Sequence, residues 1–165
     1  MLKVSPFRQR TGYCGPASLK MVMRYYGFNR TEKEIARLSG ASKTKGTTPE
    51  GLVRTAKKFK FNAFVKENCK IKHIRKYLNK GVPLIVAWFS TDDQHYSVVV
   101  GIGRDNIYLQ DPELGHMRAM SLKTFKRVWF DFPGDFMESK DKLKLRMMVV
   151  VRPSQSRRSK ARYRA

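Results

Sequence analysis

The sequence predicts an α+β domain with N-terminal helices packed on an antiparallel β-sheet. Three observations carry that prediction. Apolar positions recur at helical spacing through the first half, strand-like apolar runs follow Gly81, and turn signals separate the segments.

Residues 1–12 form an extended entry segment. Pro16 then stands where a first helical turn tolerates proline, and Leu19, Val22, Met23 and Tyr26 fall at i, i+3, i+4 and i+7. Gly27 supplies the stop. Thr31 to Glu34 reads as a capping box that opens a second helix through Ile35 and Leu38. Thr48-Pro49-Glu50 starts another, with Leu52, Val53, Ala56 and Phe59 as its apolar stripe. Phe61 to Val65 alternates as a strand does, and Ile71, Ile74 and Leu78 mark a further short helix.

Beyond Gly81 the pattern changes. Pro83 to Phe89 is nearly all apolar, as expected of a strand covered on both faces. Tyr96 to Val100 is a second strand, and Arg104-Asp105-Asn106 turns it into Ile107 to Leu109. Asp111 to Gly115 reads as a turn, and Leu122, Phe125, Val128 and Trp129 as a short helix capped by Ser121. Leu145 to Val151 is the last strand. Residues 1–151 thus make one domain, and 152–165, without apolar periodicity, read as a basic disordered tail.

Composition narrows the function classes. The longest apolar run, Pro83–Phe89, is far below the roughly 18 residues of a membrane helix, and the N-terminus lacks a signal-peptide core. Two cysteines, Cys14 and Cys69, form neither a disulfide framework nor a zinc pattern, which suggests a reducing, cytoplasmic setting. Cys69 reads as a structural or surface residue rather than a ligand. The Asp92-Asp93 pair, two carboxylates beside a turn, is too few ligands for a metal site.

Charge is the unusual bulk property. Thirty-five Lys and Arg against 13 Asp and Glu give +22; removing the six cations of 152–165 still leaves +16. Such a surface attracts polyanions, nucleic acid among them, although charge alone also describes a merely solvated surface.

Cys14 precedes the first predicted helix, where the dipole and unpaired amides stabilise a thiolate. A cysteine there is equally at home as a small buried apolar residue. Gly15 beside it leaves room for a substrate backbone. His95 leads into an apolar strand after the polar stretch Ser90 to Gln94, a place for a base or for an ordinary strand-end histidine. His73 and His116 read as surface residues. If the hairpin pairs as expected, Asp111 returns toward His95 and could orient its ring, though Asp-Pro also begins turns. Gln9 could donate its side-chain amide to an oxyanion together with the Cys14 N–H, or lie exposed on the entry arm.

Gln9 to Met21 around Cys14-Gly15-Pro16-Ala17, then His95 to Gly101, then Asp111-Pro112, together resemble the C39 peptidase family over about residues 7–130. Met120 to Phe125 and Trp129 resemble that family's late helix. The family groups papain-like cysteine peptidases, known best as leader-cleaving domains of bacteriocin exporters. Two positions differ from the exporter forms: Tyr13 replaces a usual acidic residue, and Gln9 lies five rather than six residues before the cysteine.

The resemblance implies a papain-like fold without a cofactor. It implies Cys14 as nucleophile, His95 as general base and acid, Asp111 as the residue orienting His95, and Gln9 in the oxyanion hole. The function implied is hydrolysis of a peptide or amide bond in a peptide or protein substrate, through a thioester acyl-enzyme. The same groups would serve an acyltransferase. A catalytically idle module binding nucleic acid or another polyanion is the alternative from a different class.

Overall fold

The computed structural model describes residues 1–91, 93–134 and 136–154. Helix α1 (Cys14–Tyr25) buries Leu19, Met21, Val22 and Met23, close to the predicted stripe. It stops because Gly27 adopts φ +76°, which lets Gly27 N–H bond to Arg24 O and Phe28 N–H to Met23 O. Helix α2 (Glu32–Ser39) is capped by Thr31, whose hydroxyl accepts from Glu34 N–H at 3.2 Å. Helix α3 (Pro49–Lys58) starts in the same way, with Thr48 accepting from Gly51 N–H and Pro49 at the first helical position.

Strand β1 (Phe61–Lys66) and helix α4 (Ile71–Leu78) follow, then β2 (Leu84–Phe89), β3 (Gln94–Ile102), β4 (Asn106–Asp111) and β5 (His116–Ser121). Helix α5 (Leu122–Val128), capped by Ser121, leads to β6 (Phe130–Asp131), a 3₁₀ turn at Lys140–Lys142, β7 (Lys144–Leu145) and β8 (Met148–Pro153). Six strands form one antiparallel sheet in the order β1-β8-β2-β3-β4-β5, and β6 pairs with β7 separately.

Both faces of the sheet are covered, which explains the unbroken apolar runs of its central strands. One face packs Ile85, Val98 and Val149 against α1, α2 and α3, through Leu19, Ile35 and Leu52. The other packs Val86, Val99 and Val150 against Ile74 of α4 and Phe125 and Trp129 at α5. The entry arm is strapped to the sheet by Leu2 N–H to Val100 O and by Gln110 Nε2 to Val4 O.

Two predicted segments differ. Residues 116–121 form β5, beyond the expected turn; as an edge strand exposed along much of its length, it lacks the apolar alternation that marks a half-buried strand. The expected strand Leu145 to Val151 is broken at Arg146, where φ is +48°, so β7 joins the small sheet and β8 the large one. β8 continues through Arg152 and Pro153; residues 155–165, the rest of the expected basic tail, lie outside the described residues, as does Asp92. Among the described residues no helix is long and apolar enough to cross a membrane.

Candidate active site

Cys14 is the first residue of α1 and remains partly exposed, while Gly15 to Leu19 behind it are buried. Tyr13 at the N-cap makes no side-chain capping bond and no acidic residue stands in the first turn, so Cys14 lies at a positive helix end that neither of these offsets. Gly15 has a different reason from the one the sequence suggests. A Cβ there would lie 2.3 Å from Thr47 Cγ2 and 3.3 Å from Tyr96 Cδ2, so the glycine seats the helix against the loop before α3 rather than admitting a substrate.

His95 is the second residue of β3, opposite Trp88 of β2, and only 5% exposed. Asp111 closes β4 and is 1% exposed. The β3–β4 hairpin, with Val98 opposite Gln110, brings their ends together, and His95 Nε2 lies 2.8 Å from Asp111 Oδ1. That leaves Nδ1 as the free ring nitrogen. Cys14 acts on the same ring, both as a hydrogen-bonding neighbour and as a charge.

Burial alone would lower the His95 pKa. Hydrogen bonds to Asp111 and Cys14, with the charge of both, outweigh it and raise the value to about 9. Burial would likewise raise Asp111, but its bonds and attraction to His95 and Arg118 hold it at about 2. The pair thus favours a protonated imidazole beside an ionised carboxylate.

Gln9 is brought to the same corner. Its backbone N–H donates to Pro112 O at 2.8 Å, and its side-chain Oε1 is buried without a partner. Thus Cys14, His95 and Asp111 converge, and Gln9 lies on the segment tied to Asp111-Pro112. His73 on α4 and the exposed His116 on β5 stay outside this cluster. Cys69 sits buried in the other core layer, its thiol pKa pushed up by burial.

Sequence reasoning missed Arg118 and Trp88. Arg118 Nε donates to Asp111 Oδ2 at 2.8 Å, and its guanidinium stands 5.6 Å from the Trp88 ring centre. The signal lies in register alone: Asp111 pairs with His116, which puts Arg118 two residues along on the same face of the neighbouring strand. His95, Asp111 and Glu113 offer metal-ligand atoms within 4.8 Å of one another. The Asp111 oxygens, however, already accept from His95, Glu113 N–H and Arg118, so donors fill the place an ion would take. A groove of about 570 Å³ runs along α3, lined by Glu50, Val53, Arg54, Lys57, Lys58 and Val65; none of the four predicted site residues lines it.

Helices packed on an antiparallel sheet in this topology make the fold that of papain-like cysteine peptidase domains. The chain belongs to the Peptidase_C39 like family, whose model matches residues 1–134. It is similar to the peptidase domain of Streptococcus ComA, described as a bi-functional ABC transporter involved in quorum sensing, with a TM-score of 0.73 and 25% identity over 92% of this chain and 99% of that one. It is 29% identical over 128 residues to an uncharacterized protein of Methanothermobacter thermautotrophicus, covering 77% of this chain and 83% of that protein. It is also 28% identical over 126 residues to the lactococcin-G-processing and transport ATP-binding protein LagD of Lactococcus lactis. That match takes 74% of this chain but only 17% of LagD.

Proposed function

We propose that this protein hydrolyses a peptide or amide bond through a thioester acyl-enzyme on Cys14. The observation that carries the proposal is the continuous series Cys14, His95, Asp111, ending in a buried 2.8 Å contact. His95 takes the proton of the Cys14 thiol, and the thiolate sulfur attacks the substrate carbonyl. The oxyanion rests on the Cys14 N–H and the Gln9 side-chain NH₂, the Gln9 oxygen being turned into the protein. His95 next protonates the leaving amine. It then takes a proton from water as water attacks the thioester, and Asp111 keeps the ring oriented throughout.

The likeness to the ComA peptidase domain and to LagD supports a peptide or protein substrate. An added amine in place of water would make the same site an acyltransferase. Both cysteines are free, which fits work in a reducing compartment such as the cytoplasm.

Alkylation by iodoacetamide at neutral pH tests the assignment. Cys14 is expected to react well ahead of Cys69, and His95→Ala to abolish that advantage. Equal, slow labelling of both thiols with no dependence on His95 would overturn it.

A further inference from the structure

Four side chains close a ring behind Cys14. His95 meets one Asp111 oxygen and Arg118 the other, both at 2.8 Å. Arg118 lies against the Trp88 ring, and the Trp88 and His95 rings meet edge to face at 5.4 Å and 84°. Trp88 is fixed in turn by its Nε1–H, which donates to the buried Ser97 Oγ at 3.1 Å.

We propose that Arg118 is a positioning residue of the reaction, keeping Asp111 ionised and correctly turned while His95 alternates between its charged and neutral forms. The proposal rests on the peptidase function argued above. While His95 is an imidazolium, Asp111 has its counter-charge. Once His95 has given its proton to the leaving amine, the almost fully buried carboxylate faces a neutral ring. A buried carboxylate without an opposing charge tends to take up a proton. A protonated Asp111 would donate to Nε2 instead of accepting from it, moving the ring proton to Nδ1, the nitrogen that must next accept one from water.

Arg118 prevents this by supplying a permanent charge, since a guanidinium does not titrate in the working range. Glu113 N–H also bonds Asp111 Oδ1 but brings no net charge. Among the described residues Arg118 is the only Lys or Arg paired with Asp111. The aromatic face of Trp88 favours the guanidinium where it stands. The proton count closes without Asp111. In deacylation the water proton goes to Nδ1, the oxygen of water bonds to the acyl carbon, and the carbon–sulfur bond breaks. A carboxylic acid, the Cys14 thiolate and an imidazolium result.

Acetyl transfer from p-nitrophenyl acetate separates the steps. The p-nitrophenol burst counts functional sites, and the steady rate reports deacylation, in which His95 must be neutral. Arg118→Met is expected to keep the burst amplitude while deacylation per site falls about 10- to 100-fold, the scale of a lost charge-assisted bond to a buried group. The acid limb of deacylation is expected to move to higher pH, and Arg118→Lys to recover much of the rate. A purely structural role would instead lower the amplitude and leave the rate per site and its pH profile unchanged, which overturns the proposal. A wild-type protein with no Cys14-dependent burst would overturn the peptidase function itself.

Discussion

His95 Nε2 and Asp111 Oδ1 stand 2.8 Å apart in a place almost closed to water, at the open end of one hairpin. The contact fixes which ring nitrogen faces the sulfur. Asp111→Asn keeps the shape but offers an amide that can donate to Nε2 and so favour the wrong tautomer. Acylation of Cys14 is expected to slow by roughly 10²- to 10⁴-fold, the usual worth of a working acid–base group. Burst kinetics with p-nitrophenyl acetate measure this, with circular dichroism confirming a native fold.

Gln9 reaches the site through the backbone, by its bond to Pro112 O, so changing its side chain leaves the strap intact. Gln9→Ala is therefore expected to slow acylation by about 10²-fold, the scale of one oxyanion donor, with little change in thermal midpoint. Pre-steady-state acylation and a melting curve on the same sample check both halves.

Gly15 and Thr47 compete for one volume. A Cβ added at Gly15 would meet Thr47 Cγ2 at 2.3 Å, so Gly15→Ala is expected to cost about 1–3 kcal/mol by overpacking. Thr47→Ser removes that methyl and keeps the hydroxyl that bonds Ser39 O. The double variant is expected to recover part of the loss, and urea denaturation of the four proteins gives the coupling directly.

Asp131 is 5% exposed, and its Oδ1 lacks a partner. Burial raises its pKa to about 6, despite the opposing charge of Lys144. A carboxyl that is harder to ionise folded than unfolded loses stability as pH rises from its ordinary value, 3.8, to about 6. Asp131→Asn is thus expected to raise the thermal midpoint above pH 6 and to change it little near pH 4. Melting across that range tests the sign. Asp111 behaves oppositely: its pKa is held at about 2, so its stabilisation is present above 3.8 and is lost as pH falls through about 2.

Much of this architecture is legible because its signals are local. Helix α1 is marked by its apolar spacing and its glycine stop, and helices α2 and α3 by their threonine caps. Cys14, His95 and Asp111 can be singled out because each stands at or near the end of an element. What is not legible depends on register or on neighbours distant in sequence. Strand β5 is an exposed edge whose residues carry no alternating pattern, and the place of Arg118 beside Asp111 exists only once β4 and β5 pair. The break at Arg146 uses a positive φ on a residue that does not advertise it. The purpose of Gly15 stays hidden because Thr47, remote from it along the chain, occupies the space beside it.

The most direct test of the whole account is an NMR titration of the His95 imidazole in the wild-type protein and in Cys14→Ala. The ring is expected to stay protonated up to about pH 9 and to titrate at lower pH once the sulfur is removed. A ring that titrates near 6.5 and ignores the loss of Cys14 would mean that the two groups do not work together, and would contradict the account.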